Sequence, residues 1–282
     1  MTRPTVPDRT RVGRTALTVA DLAETTDFYR DVVGLAVQSR DDESATLGVD
    51  GTPLLVLSES DVPDRDPESA GLYHNAFRVP SRGALGDALR RVRNRWRLDG
   101  ASDHLVSEAL YLTDPEDNGV EIYRDRPREE WEFGDDGTVR MDTLPLDVDA
   151  LVADASGTPD AGAPPGTAVG HVHLEVSSLA RSREFYVDTL GLGVRAAYGD
   201  SALFVAAGEY HHHLGLNTWR RRSRPAAGRG LAWFELVVPD EDALAAVRRR
   251  LADAGESVTD RDDGVAVTDP DGVSVRLRVD SN

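Results

Sequence analysis

The sequence of 282 residues contains no cysteine and no lysine. Without cysteine the chain has no disulfide, no thiolate metal ligand and no thiol nucleophile. Any bound metal must therefore be held by nitrogen and oxygen atoms. Apolar runs of about 18 residues are missing too, and the first seven residues lack the apolar stretch of a signal peptide, so we expect a cytoplasmic protein without a membrane span.

The charge of the chain is strongly one-sided. All 32 basic residues are arginine and they stand against 50 acidic residues, which gives a formal net charge of -18. Phosphate contacts need a basic surface, so we expect no nucleic-acid partner. An acidic, lysine-free composition resembles that of halophilic proteins, in which dissolved salt screens the self-repulsion. A GC-rich genome, which favours arginine codons, is the alternative explanation.

The chain repeats itself. The segment Asp27–Leu35 recurs 157 residues further along as Glu184–Leu192, both containing Phe-Tyr and ending in Gly-Leu. A second, weaker match relates Gly71–His74 to Gly230–Trp233, and each of these segments is followed further along by an Asp-Pro turn. The sequence therefore predicts four similar units arranged in two halves.

Each unit follows one pattern of secondary structure. In the first, an alternating strand over 14–19 precedes a helix whose apolar positions stop at Gly34, and short strands over 44–49 and 53–57 follow. The pattern of a strand, a helix and three strands predicts an α+β fold. A stretch rich in Pro, Gly and Ala over 151–167 predicts a linker between an N-terminal domain, 1–150, and a C-terminal domain, 168–282.

The sequence resembles the vicinal oxygen chelate superfamily, which contains glyoxalases, bleomycin resistance proteins and extradiol dioxygenases, and within it the two-domain catechol extradiol dioxygenases. The segments that carry this resemblance are Gly170–Leu174, Gly208–Trp219, Ser107–Pro115 and Asn118–Pro127. The resemblance implies four βαβββ modules in two tandem domains, whose curved mixed sheets form cups that hold one divalent metal.

The resemblance also implies the metal ligands, which are two histidines and a glutamate. The family positions are kept by His74, Glu121 and His171. The corresponding positions elsewhere carry side chains that do not ligate metals: Arg14, Trp233 and Arg276. A complete ligand set therefore exists only if unit two faces unit three across the two halves, and we predict that pairing, with units one and four forming a metal-free cup.

Two histidines and one carboxylate leave half of the coordination sphere of Fe(II) open, and Mn(II) suits the same ligands. From the same resemblance we expect His212 to move a proton near bound oxygen and Tyr111 to bond the substrate oxygen, with His104 near them. If the run His211–His213 is a strand, only one of its faces can line the cup.

Alternatives to these assignments stay open at this point. His173 shares a strand face with His171, so the period of two does not say which one coordinates, and only the position after Gly170 favours His171. Glu121 taken alone could form an ion pair with a nearby arginine, Arg124 or Arg126.

The favoured function is ring cleavage of a small aromatic diol with O2, in an enzyme that is open to self-association as a homo-oligomer. An isomerase or lyase of the glyoxalase type is one alternative, although that branch uses four protein ligands and three are evident here. A metal-free protein that binds an aromatic ligand is the other alternative, and the retained ligands weigh against it.

Overall fold

A computed structural model describes residues 5–157 and 161–280, so residues 158–160 of the predicted linker lie outside the described residues. The four predicted units are present. Unit one contains β1 (Arg11–Val19), α1 (Leu22–Phe28), a π-helical turn (Tyr29–Val33), β2 (Ala36–Arg40), β3 (Ser44–Val49) and β4 (Thr52–Glu59). Unit two contains β5 (Gly71–Arg78), α2 (Arg82–Arg95), β6 (Gly100–Asp103), β7 (Ser107–Thr113) and β8 (Gly119–Asp125).

The second half repeats the arrangement after a short connection. The connection contains a 3-10 turn (Arg128–Glu130), β9 (Leu144–Pro145) and α3 (Val148–Ala153). Unit three contains β10 (Ala168–Glu175), α4 (Leu179–Arg183), a π-helical turn (Glu184–Thr189), β11 (Gly193–Tyr198), β12 (Ala202–Ala206) and β13 (Leu214–Asn217). Unit four contains β14 (Gly230–Val238), α5 (Glu241–Asp253), β15 (Thr259–Arg261), β16 (Gly264–Thr268) and β17 (Ser274–Val279). Among the described residues, none of these helices has the length and apolar character needed to cross a membrane.

The units pair across the two halves of the sequence. One sheet of nine strands has the order β11-β12-β13-β10-β5-β8-β7-β6-β9, and the other, of eight strands, has the order β15-β16-β17-β14-β1-β4-β3-β2. The first strands of units two and three, β5 and β10, lie antiparallel at the centre of one sheet, and β1 and β14 do the same in the other. The predicted pairing of unit two with unit three is therefore confirmed by the sheet topology, as is the α+β fold.

The first helix of each half differs from its prediction. The helix of unit one is α-helical only to Phe28 and then widens into a π turn, in which the amide of Gly34 donates to the carbonyl of Tyr29. Two adjacent buried pairs, Phe28-Tyr29 and Val32-Val33, face the sheet. The wider π turn allows both residues of each pair to lie on this apolar side of the helix. Gly34 ends the turn with φ of 94°, as expected for a C-terminal glycine.

The same helices tie the two sheets together. Tyr29 of unit one is fully buried, and its hydroxyl donates to the Asp114 carboxyl group of unit two at 3.1 Å. Tyr186 of unit three donates in the same way to Asp269 of unit four at 2.8 Å. Each half of the chain thus divides its two units between the two sheets and links them through one buried tyrosine and one Asp-Pro turn.

Candidate active site

The predicted ligands come together in the nine-stranded sheet because of its register. Ala76 on β5 lies opposite Glu121 on β8 at one side and opposite His171 on β10 at the other, while Tyr111 on β7 lies opposite Glu121. Residues that lie opposite each other point to the same face of a sheet. Four neighbouring strands therefore present Tyr111, Glu121, Ala76 and His171 in one row, in which the small Ala76 leaves space between its larger neighbours.

A second row lies beside the first. His74 stands two residues before Ala76 and so points to the same face, and it lies opposite His173 on β10. The row continues through Gly215 on β13 to Phe204 on β12. A Cβ atom at Gly215 would lie 2.8 Å from the His173 ring, so glycine is what allows this histidine to lie flat against β13.

Three buried side chains of these rows form a compact group of metal-ligand type. The Nε2 atoms of His74 and His171 lie 2.9 and 3.2 Å from Oε2 of Glu121, and 3.3 Å from each other. All three residues are at least 94 % buried, with exposures of 6, 2 and 2 % in the order His74, Glu121 and His171. Burial lowers the pKa of His171 to about 4, so this imidazole is neutral near pH 7 and has a lone pair to give.

The surroundings of Glu121 agree with a ligand and not with a surface ion pair. The arginines considered as its partners from the sequence turn elsewhere: Arg124 donates to Glu108 at 2.8 Å and Arg126 to Asp103 at 2.6 Å. The carboxylate instead meets imidazole nitrogens of the two histidines. Two imidazoles and a carboxylate converging on one point fit a divalent metal such as Fe(II) or Mn(II).

A cavity of about 520 Å³ opens above the ligand group. Its walls are mostly apolar and aromatic, and they include Val106, Met141, Tyr198, Phe204 and Trp219. Nothing in the sequence marks Val106, Met141, Tyr198 or Phe204, because single apolar residues on scattered strands and loops carry no recognisable spacing. A cavity of this size, with aromatic walls and a polar floor, suits a small aromatic molecule.

Tyr111 and His104 form a hydrogen-bonded pair at the edge of this cavity. Nε2 of His104 lies 2.6 Å from the Tyr111 hydroxyl, and Nδ1 lies 2.7 Å from the carbonyl oxygen of Asp142. A carbonyl can only accept, so Nδ1 carries the proton and Nε2 accepts from the tyrosine. Burial raises the pKa of Tyr111 well above its usual value, so the hydroxyl keeps its proton.

The run of three histidines is a loop between β12 and β13, so the strand considered in the sequence analysis is not formed. Only His212 lines the cavity, where its ring centroid is 4.1 Å from that of His171. His211 turns to Asp125 on β8, with Nε2 at 2.9 Å from the carboxylate, and His213 accepts from the amide of Ala207. Burial lowers the pKa of His212 well below its usual value, which keeps its imidazole neutral.

His173 also lines the cavity, but it has a partner of its own. Its Nε2 lies 3.1 Å from the side-chain nitrogen of Asn217, and it is not part of the ligand group. An amide nitrogen can only donate, so this Nε2 is occupied as an acceptor. His171 and His173, which the alternation of side chains along the strand could not tell apart, thus have different partners in the structure.

The eight-stranded sheet carries other side chains at the positions that correspond to the His74, Glu121 and His171 group. Its register is the same, since Glu235 on β14 lies opposite Arg276 on β17 as Ala76 lies opposite Glu121. The guanidinium of Arg276 covers the ring of Trp233 at 3.7 Å, and the buried Glu235 receives Arg14 at 3.0 Å. The positions that correspond to the ligands are therefore filled by side chains engaged in cation–π and ion-pair contacts. Among the described residues, three metal-ligating side chains come together only in the group of His74, Glu121 and His171.

Comparisons with known proteins agree with this geometry. The sequence matches the Glyoxalase/Bleomycin resistance protein/Dioxygenase superfamily over residues 11–122 and 168–277. It is 38% identical over 274 residues to a catechol-2,3-dioxygenase of Bacillus subtilis, covering 94% of this chain and 95% of that protein.

Solved structures show the same fold. A structure from Bacillus subtilis has a TM-score of 0.66 at 16% identity, and the alignment covers 99% of this chain and 87% of the other chain. For glyoxalase I from Zea mays the TM-score is 0.59 at 16% identity, and the alignment covers 96% of this chain and 92% of the glyoxalase chain. The chain therefore belongs to the Glyoxalase/Bleomycin resistance protein/Dioxygenase superfamily, as an enzyme of its dioxygenase branch.

Proposed function

We propose that the protein is an extradiol dioxygenase that cleaves the ring of a catechol-type diol with O2 at an Fe(II) or Mn(II) ion held by His74, Glu121 and His171. The observation that carries the proposal is the buried ligand group at the floor of an aromatic-walled cavity. The likeness to a catechol-2,3-dioxygenase over nearly the whole chain supports the same substrate class.

The metal, when bound by three protein ligands, supplies open positions for a chelating diol and for oxygen and lets electron density pass between them. The remaining tasks belong to side chains of this protein. Phe204 and Trp219 confine the flat ring of the substrate and exclude water from it. His212, whose imidazole is neutral, takes a proton from a substrate hydroxyl.

Tyr111 has a binding task in this proposal. Its hydroxyl is held by His104 on one side and lies in the row of Glu121, at the floor of the cavity. The hydroxyl keeps its proton and donates it to His104, so towards the substrate its oxygen can accept a hydrogen bond from the diol hydroxyl that His212 does not deprotonate. The pair therefore orients the bound diol.

The decisive test is anaerobic loading with Fe(II), and in parallel with Mn(II), followed by catechol and then oxygen. We expect oxygen uptake together with a yellow ring-opened product. Glu121→Gln should lose metal and turnover. Glu235→Gln is the matched control, because it removes a buried carboxylate from the cup without ligands and should leave turnover in the folded fraction unchanged.

The opposite result is equally clear. If several catechols give no product while the adduct of methylglyoxal and glutathione is consumed, the protein is an isomerase of the glyoxalase type. Cytoplasmic location, adaptation to high salt, self-association and the division of the chain at 151–167 accompany this proposal as predictions from the sequence.

A further inference from the structure

His212 belongs to a chain of hydrogen bonds that leads away from the cavity. Its Nδ1 atom lies 2.7 Å from Nδ1 of His211, and Nε2 of His211 lies 2.9 Å from Oδ1 of Asp125. His211 is completely buried and does not line the cavity. Neither the ligand group nor the substrate pocket accounts for this buried histidine and its partly exposed carboxylate partner.

The donor and the acceptor of each hydrogen bond follow from the Asp125 carboxylate, at which the chain of hydrogen bonds ends. The ionised carboxylate of Asp125 can only accept, so Nε2 of His211 carries a proton and donates it. The Nδ1 atom of a neutral His211 is then an acceptor, and Nδ1 of His212 must be the donor. Nε2 of His212 is consequently left without a proton, with its lone pair on the edge of the ring away from His211.

Asp125 is fixed firmly enough to set this order. The Tyr210 hydroxyl lies 3.1 Å from both carboxylate oxygens, and Arg78 donates to Oδ2 at 3.2 Å. The Tyr210 hydroxyl is also 2.8 Å from that of Tyr123. Burial raises the pKa of Asp125, but the contacts with His211 and Arg78 outweigh it and keep the pKa below its usual value.

The strand β8 connects this chain to the ligand group. Glu121, Tyr123 and Asp125 alternate along β8 and so share one face. One strand thus positions both a ligand and the end of the hydrogen-bond chain. His171, on β10, packs against His212 with ring centroids 4.1 Å apart, so the ring of His212 is held on two sides.

We propose that Asp125 and His211 are positioning residues that hold His212 in its Nδ1–H tautomer, with Nε2 directed to the cavity as the proton acceptor. The proposal rests on the proposed function. In the step, the O–H bond of a substrate hydroxyl breaks and an N–H bond forms at Nε2, so the substrate gains one negative charge and His212 one positive charge. Asp125 stabilises that positive charge through His211.

The tautomer can be measured without turnover. Metal-free protein labelled with 15N-histidine is examined by two-bond 1H–15N correlation, and the His212 signals are assigned by their loss in His212→Gln. We expect the Nδ1–H form in the unmodified protein, although free histidine favours Nε2–H. In His211→Phe and in Asp125→Asn, His212 should change to the Nε2–H form or to a mixture.

Kinetics provide a second measurement on the metal-loaded enzyme. His211→Phe and Asp125→Asn should lower kcat about 10- to 100-fold with little change in KM, because the acceptor is misoriented while the cavity is kept. His213→Asn is the matched control. It alters a buried histidine of the same loop, preserves an acceptor for the Ala207 amide, and should leave both the tautomer and kcat unchanged.

Two outcomes would overturn the proposal. One is an Nε2–H tautomer of His212 in the unmodified protein, and the other is an unchanged tautomer in both His211→Phe and Asp125→Asn with folding verified by circular dichroism. A protein that cleaves no diol would refute the proposed function, and the tautomer would still decide whether the hydrogen-bond chain orders His212.

Discussion

At the scale of single residues, two histidines on one face of β10 have different surroundings, and we propose only one of them as a metal ligand. His171 directs Nε2 at Glu121, and its Nδ1 atom is buried without a hydrogen-bond partner among the described residues. His173 is held by Asn217 and packs beside Gly215. The local partners, and not the spacing along the strand, distinguish a ligand from a wall residue.

A pair of substitutions on β10 tests this distinction. His171→Asn should weaken binding of Fe(II) or Mn(II) by about 100-fold or more, because one of three ligands is lost. Mutating a residue that only hydrogen-bonds to a ligand already lowers metal affinity about 10- to 100-fold, so loss of a ligand itself should cost at least as much. His173→Asn should change metal affinity by only a few-fold. Titration calorimetry under anaerobic conditions measures both, and equal losses in the two variants would contradict the assignment.

The sequence predicted part of this site and missed the rest for a physical reason. His74, Glu121 and His171 were expected as ligands from the resemblance to the vicinal oxygen chelate superfamily, and the sheet register brings them together. The contact of His211 with Asp125 joins two residues 86 positions apart, from different halves of the chain. No periodicity within a strand encodes such a contact, because a loop conformation and a pairing between units create it together.

At the scale of secondary structure elements, the repeated Phe-Tyr motif connects units and does not contact substrate. The wide turn after α1 brings Tyr29 onto Asp114, and the equivalent turn after α4 brings Tyr186 onto Asp269. The sequence predicted a helix that ends at Gly34 but not its widening, because π turns depend on the surface against which the helix packs.

The burial of the Asp114 carboxyl group makes stability depend on pH. Burial raises the pKa of Asp114 to about 6, so the folded chain keeps this proton at a pH where the unfolded chain has lost it. The contribution to stability is therefore present below about pH 4 and is lost as the pH rises to about 6. Relative to the unmodified protein, Asp114→Asn should gain up to about 3 kcal/mol between pH 4 and pH 7.

Urea unfolding at a series of pH values gives this difference directly. Asp269→Asn is the matched variant in the other half, where burial likewise raises the pKa to about 6, and it should show the same trend. A difference in unfolding free energy that is constant between pH 4 and pH 7 would show that Asp114 does not titrate as described.

At the scale of the whole molecule, the net charge of -18 on 282 residues opposes the compact state. Repulsion among like surface charges weakens when salt shortens the distance over which they act. The basic residues are all arginine, and many join acidic partners at the surface, as Arg30 does with Asp27 and Asp31. Repulsion among the surplus acidic groups remains, so stability should respond to ionic strength.

We therefore expect the midpoint of thermal unfolding to rise by about 5 °C or more between 0.1 and 2 M KCl. Sucrose at equal osmolality is the control, since it is excluded from protein surfaces without screening charge. A midpoint that falls with KCl, or that rises equally with sucrose, would favour codon usage over salt adaptation as the reason for the missing lysine.

The central strand pairs also have a consequence for synthesis. β1 pairs with β14, and β5 pairs with β10, so neither sheet can be completed before strands of the second half have been synthesised. Until then the nascent N-terminal half carries β1 and β5 with bare edges, whose open amides and carbonyls invite pairing with other chains. Nascent molecules are therefore exposed to edge-to-edge pairing until the second half emerges.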